Sequence, residues 1–161
     1  MEDGLVYQRI KALLAEGGIP YREMHHPPTR TSEESARARG EEMAVGGKAL
    51  VLMVKGEFRL FVLSAALKLD SRKIKDRFGT RKLRFATREE LFEMTALEPG
   101  AVPPFGPPVL PFRLHLDPSI LRNDRIAFNA GSLTDSILLS VTDYLTLVEP
   151  EIFEFSAGAG D

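Results

Sequence analysis

Gly46-Gly47-Lys48-Ala49-Leu50-Val51-Leu52-Met53-Val54 is followed by Lys55-Gly56 and then by Glu57-Phe58-Arg59-Leu60-Phe61-Val62-Leu63. Two apolar runs of strand length flank a two-residue turn, a pattern that predicts a β-hairpin over 48–63. Lys48 stands at the mouth of the first run. An ammonium beside so much apolar surface is costly unless an anion or hydrogen-bond acceptors compensate it. The local sequence leaves two readings open. Lys48 is either an edge lysine that protects the sheet or snorkels its head to water, or an anchor for an anionic ligand. A nucleotide phosphate loop is excluded, because Glu42 and Ala49 occupy the positions where that pattern needs a glycine and a Ser or Thr.

Working outward, residues 4–16 space Leu5, Ile10, Leu13 and Leu14 as a helix that Gly17-Gly18 ends. A short strand is expected over 19–24. Thr31-Ser-Glu-Glu34 and Thr87-Arg-Glu-Glu90 match the capping-box pattern and open helices over 31–39 and 87–97. A charged helix over 70–78 is closed by Gly79, and strands are expected over 82–85, 112–116, 125–129, 136–141 and 152–155, with a short helix over 142–148. The segment 99–111 holds six prolines and two glycines, so it is a stiff, shaped loop and not a helix. Short strands with interspersed helices predict an α/β (α+β) fold: one compact domain over 1–155, with a mixed, largely antiparallel sheet flanked by helices. Residues 156–161 read as a flexible tail.

A chain of 161 residues suits one domain with a sizeable core. The formal net charge of −2 argues against a long groove that neutralises many phosphates, but leaves room for a nucleic acid held locally at one end. With no cysteine, disulfides, thiolate nucleophiles and zinc–thiolate sites are excluded. The first residues lack the basic-then-apolar order of a signal peptide, and no apolar run approaches membrane-spanning length. The expected location is cytoplasmic.

Glycines in the loops Gly100-Ala-Val102-Pro-Pro104-Phe105-Gly106 and Phe128-Asn129-Ala-Gly131-Ser132 give backbone N–H groups close access to a ligand. With Lys48, they point to an anionic, carbonyl-bearing substrate. His25 and His26 are adjacent on a strand, so their side chains diverge and do not readily share a metal ion; one of the pair is left as a polar wall for a pocket. No Gly-x-Ser-x-Gly elbow is present, and Ser132 lacks the trailing glycine. Asp135 either caps a turn or accepts a hydrogen bond from substrate. Phe105 either packs onto the core or stacks against a ligand.

In this order and spacing, the Lys48 strand, the Gly100-x-x-x-Pro104 loop with Phe105-Gly106, and Asp124-Arg-Ile-Ala-Phe-Asn-Ala-Gly131 with Asp135 beyond resemble the YbaK/prolyl-tRNA-synthetase-associated domain. That family comprises aminoacyl-tRNA editing deacylases, and the resemblance runs from the first helix to about Val148. It implies a mixed α/β fold with a pocket between sheet and helices. It implies that Lys48 holds the phosphate near the terminal adenosine of tRNA and that the loop from Gly100 through Val102 to Pro104 presents amides to the aminoacyl carbonyl. Asn129, Gly131 and Asp135 would line the same cavity, with Phe105, Gly106 and His25 as further substrate contacts. The implied mechanism needs no metal or other cofactor; water attacks with help from a ribose hydroxyl of the tRNA itself.

The expected function is therefore a trans-editing deacylase that hydrolyses the ester of mischarged tRNA, in the first place tRNA-Pro carrying a non-cognate small amino acid. Its partners would be the aminoacyl-tRNA acceptor end and prolyl-tRNA synthetase. The alternatives are a non-catalytic tRNA- or synthetase-binding module of the same fold and a hydrolase of small aminoacyl esters. Ala49 stands where some subfamilies have Asn, and Asn129-Ala130-Gly131 replaces a Ser-Gly-Gly turn. The resemblance thus leaves open which amino acid is removed.

Overall fold

The hairpin is the centre of the molecule. In the computed structural model, which describes residues 4–158, β2 (Gly47–Val54) and β3 (Glu57–Ser64) pair antiparallel along their whole length around Lys55-Gly56. β4 (Leu83–Phe85) adds antiparallel to the far end of β2. β5 (Arg113–Leu116) joins β3 in parallel, and the two-residue β8 (Glu151–Ile152) joins β5 in parallel. The resulting five-stranded sheet has the order β4-β2-β3-β5-β8.

The remaining strands form a second, antiparallel sheet in the order β1-β7-β6, built from β1 (Arg22–His25), β7 (Asp135–Ser140) and β6 (Arg125–Asn129). The expected single mixed sheet is thus two sheets, joined by one parallel bridge between Gly46 and Ala127. Gly47 permits this approach: a Cβ there would lie 2.6 Å from Ile126 Cδ1.

The near-continuous apolar runs of β2 and β3 reflect burial on both faces. One face, with Val51, Leu60 and Val62, meets the larger core against α1 (Leu5–Glu16), α4 (Arg88–Thr95), α5 (Val141–Val148), the 97–112 segment and the second sheet. The other, with Leu52, Val54, Phe61 and Leu63, meets Ile74 of α3 (Ser71–Phe78) and Phe155. Leu52 and Phe61 are almost wholly buried.

Helix ends follow the local chemistry. Thr87 and Glu90 form the full reciprocal capping box of α4. At α2 (Ser32–Arg39) only half forms: Thr31 accepts from Glu34 N–H, while the Glu34 carboxylate takes the Arg30 N–H instead. Gly40 and Gly79 close α2 and α3 in the left-handed conformation.

The chain end departs from the expected tail. Ser156 is buried, and its N–H and that of Phe155 donate to Asp117 Oδ1 at 3.0 and 2.7 Å. Ala157 N–H donates to Lys68 O. Three backbone groups are satisfied there, so residues 156–157 are part of the packed domain; residues 159–161 lie outside the described residues.

Candidate functional site

The first residues of β2, Gly47 to Leu50, form one wall of a cavity of about 220 Å3. Alternation along β2 sends Ala49 and Val51 toward the larger core and Lys48, Leu50 and Leu52 toward the α3 face. Lys48 is half-buried at the cavity wall, and burial, reinforced by the nearby Lys68, lowers its pKa below the ordinary lysine value. Arg39, at the end of α2, lines the same cavity and is only 8% exposed. Its Nε donates to Ser136 Oγ at 3.0 Å and Nη2 to Asn129 Oδ1 at 3.2 Å. Both partners are neutral. Burial pushes the guanidinium down to about 10, with Glu41 opposing, while the Glu41 carboxylate itself bonds Arg125. No carboxylate is among the residues lining this cavity, whereas Arg30, Arg39 and Lys48 are. A buried cation with only neutral partners leaves unspent attraction for an anion.

The Gly100–Val102 segment forms another part of the wall. Gly100 has φ +92°, a conformation that favours glycine, and its carbonyl accepts from Asn129 Nδ2 at 2.9 Å. Ala101 N–H donates to Glu98 O. The N–H groups of Gly100 and Val102 have no acceptor among the described residues, and both residues line the cavity. Asn129 is fully used, since its Nδ2 also reaches Thr29 Oγ1 and its Oδ1 also accepts from Ser136 Oγ. It is a clamp that ties β6 to the loop and to Arg39.

A second cavity, of about 510 Å3, lies on the far side of this segment and shares Arg30 with the first. Gly100 and Val102 face the smaller space and Ala101 the larger, so the segment is the partition. Gly131, Ser132 and Asp135 line the larger cavity with Tyr7. Gly131 has φ +74°, and a Cβ there would meet Val6 at 2.8 Å. Burial pushes the Asp135 carboxyl up, but hydrogen bonds from Ser132, His25 and Thr134 outweigh it and hold the group below the usual carboxylate range. Tyr7 O–H donates to Glu23 beside Lys11.

The sequence-predicted site residues thus divide. Lys48, Gly100, Val102 and Asn129 share the small cavity; Gly131 and Asp135 line its neighbour, not the same space. His25 lines neither; it is largely exposed, with Nδ1 2.5 Å from Asp135 Oδ1. Pro104, Phe105 and Gly106 anchor the loop from behind. The Pro104 carbonyl accepts from Tyr144 O–H at 2.6 Å. Phe105 is 1% exposed, its ring 5.3 Å from Phe128 and 5.6 Å from Tyr144. A Cβ on Gly106 would sit 2.7 Å from Phe112 O. These three hold the wall in place without lining it, because the apolar ring gains more from the core than from a wet cavity.

Residues 26–147 match the family described as the aminoacyl-tRNA editing domain. The chain is 35% identical over 157 residues, 94% of its length, to the multifunctional Ser/Thr-tRNA deacylase ProXp-y of Escherichia coli strain K12, of which it covers 93%. The chain belongs to the aminoacyl-tRNA editing domain family. This editing domain is also 28% identical to the prolyl-tRNA editing protein ProX of Acetoanaerobium sticklandii, with 93% and 94% of the two chains covered. Its fold superposes with a TM-score of 0.81 on a crystal structure described as a candidate trans-editing enzyme for prolyl-tRNA synthetase, at 27% identity, with 95% and 98% of the two chains covered.

The buried cation of the cavity wall that sequence reading missed in this editing domain is Arg39. In Ser-Ala-Arg-Ala-Arg39-Gly40 it reads as an ordinary basic last turn before a helix stop. Its burial depends on β6 and β7, about ninety residues away in sequence, and no local pattern reports that.

Proposed function

We propose that the chain is a trans-acting deacylase of mischarged aminoacyl-tRNA. The observation that carries this reading is the pairing of the Gly100 and Val102 N–H groups, which lack acceptors, with the unneutralised cations Lys48 and Arg39 across one small cavity. Lys48 binds the phosphate next to the terminal adenosine, and the two amides polarise the ester carbonyl. Water adds to the carbonyl carbon, the bond to the ribose oxygen breaks, and that oxygen takes a proton, releasing a free amino acid and an uncharged tRNA end. The residues lining the smaller cavity include no His, Asp or Glu to serve as a base, so a neighbouring ribose hydroxyl is the group best placed to direct the water. An ester is already activated, and positioning with oxyanion stabilisation suffices to accelerate it.

The named activities of the relatives support tRNA-Pro carrying a small non-cognate residue, or seryl- and threonyl-tRNA, as substrate, with prolyl-tRNA synthetase as a working partner. Asp135 and Gly131 then shape the larger cavity that receives the remainder of the charged end. The test is deacylation of tRNA-Pro charged separately with Ala, Cys, Ser and Pro, and of seryl- and threonyl-tRNA, with Lys48→Ala as control. Loss of a non-cognate ester, with prolyl-tRNA-Pro spared and the variant inactive, is the expected result. Stoichiometric tRNA binding without turnover on any ester would replace it with the binding-module reading.

A further inference from the structure

The edge of β2 facing the cavity carries an unclaimed piece of backbone. Lys55 and Gly56 both have positive φ, 52° and 79°, the mark of a two-residue hairpin turn of type I′. Val54 and Glu57 therefore close the ladder with a hydrogen-bonded pair. Alternation then turns the N–H and C=O groups of Lys48, Leu50, Leu52 and Val54 to β3, and those of Gly47, Ala49, Val51 and Met53 to the opposite edge. Two bonds confirm this parity: Gly46 O accepts from Ala65 N–H on the β3 side, and Val51 O accepts from Ala86 N–H on the other.

Two elements share that outer edge without meeting. β6 touches it only at the Gly46–Ala127 bridge, and β4 covers it only from Leu52 to Val54. Ala49 lies in the interval. No strand pairs with it on that edge among the described residues, and it lines the 220 Å3 cavity together with Gly100 and Val102. The gap in the edge is one residue wide. Unpaired backbone at a sheet edge is a template for strand addition.

An aminoacyl ester carries an amine donor and a carbonyl acceptor on either side of one Cα, which is the hydrogen-bonding pattern of a single strand residue. We infer that the aminoacyl group pairs with Ala49 as a one-residue strand, its α-amino group donating to Ala49 C=O and its ester carbonyl accepting Ala49 N–H. This rests on the deacylase reading above and adds to it the element that recognises the amino acid's own backbone. The contact uses main chain alone, so it is blind to the amino-acid side chain but requires the α-amino group.

The test uses wild-type protein, Ala49→Pro and Ala49→Ser. Proline removes only an N–H that lies outside the ladder, a position where a strand tolerates it; serine keeps the N–H. The non-hydrolysable probes are 3′-(L-alanylamino)-3′-deoxyadenosine and its propionyl counterpart, which has no donor on the α-carbon. The Ala49 amide resonance of the wild type is expected to shift on binding the alanyl probe, and the propionyl probe to bind at least about tenfold more weakly. Ala49→Pro should keep its melting temperature and lose about 100-fold in hydrolysis of alanyl-tRNA-Pro, the scale of one lost oxyanion donor, while Ala49→Ser stays within a few-fold. Equal binding of the two probes, or an unmoved Ala49 amide in the alanyl complex, overturns the pairing and leaves the deacylase reading standing. Failure of the wild type to bind either probe or to hydrolyse any charged tRNA overturns both. Should Ala49→Pro not fold, the two-probe measurement on wild-type protein decides alone.

Discussion

The side-chain amide of Asn129 donates to the carbonyl oxygen of Gly100 at 2.9 Å while its oxygen accepts from Arg39 at 3.2 Å. One buried side chain thus fixes both the amide-bearing wall of the cavity and its deepest cation. Asn129→Ala leaves the Gly100 carbonyl, Arg39 Nη2 and Ser136 each short of a partner. Unsatisfied buried groups cost roughly 1–3 kcal/mol each, with partial rescue by water. We expect a loss of about 2 kcal/mol, and a melting temperature lower by about 4–8 °C in a domain of this size. Deacylation should fall with it, and calorimetry beside a rate assay checks both.

Lys48 presents the opposite balance, because a half-buried ammonium without a carboxylate partner costs stability. Its folded pKa is below the ordinary 10.5 through burial and Lys68. The neutral form is thus favoured by folding, and stability is gained as pH rises from the folded pKa to the unfolded value. Binding of a phosphate needs the charged form, so affinity declines over that same alkaline window, earlier than for an exposed lysine. Lys48→Met should melt no lower than wild type at pH 7 yet lose most activity. A lower melting temperature together with intact activity would return Lys48 to the role of an edge residue.

Much of the fold was legible because its signals are local. The Lys55-Gly56 turn, the Thr87–Glu90 box and the Gly40 and Gly79 stops each act within a few residues, and the expected helices and strands lie within a few residues of the observed ones. The division into two sheets was not legible: it depends on Gly47 admitting Ile126, a contact between distant segments. The site divides in the same way. Lys48 and Gly100 stand out by type and setting, whereas Arg39 looks like a solvated charge, and Phe105 is undecided between core and ligand until the tertiary packing is known. Asp135 carries no sequence sign of which side of the Gly100–Val102 partition it faces.

His115 is fully buried, stacked on Phe61 with ring centroids 5.0 Å apart. Arg59 donates to its Nε2 at 3.1 Å, which leaves the proton on Nδ1, 2.6 Å from Glu151 Oε1. Burial pushes its pKa down to about 4, with Glu151 opposing. The unfolded chain binds this proton near pH 6.5 and the folded one does not, so stability is full above 6.5 and falls between 6.5 and about 4. The shift corresponds to roughly 3 kcal/mol. His115→Phe should flatten the acid limb of a stability–pH curve; an unchanged limb would assign the loss to the carboxylates.

Asp117 holds the chain end by a different device. Its Oδ2 accepts from Ser119 N–H at 2.9 Å, and Oδ1 takes the two N–H groups of Phe155 and Ser156. Burial alone would raise this carboxyl, but those bonds outweigh it and keep its pKa below the ordinary value. A carboxylate with a depressed folded pKa contributes stability above its unfolded pKa, lost as pH falls through the folded one. Asp117→Ala strands three buried donors and releases Phe155 from the core beside Phe61. We expect the 153–158 segment to become the first site of proteolytic cleavage, while the cavity between Lys48 and Gly100 keeps its deacylation rate at temperatures where the domain stays folded. Cleavage that begins elsewhere would show that the aromatic contacts of Phe153 and Phe155, and not the carboxylate, fasten the end.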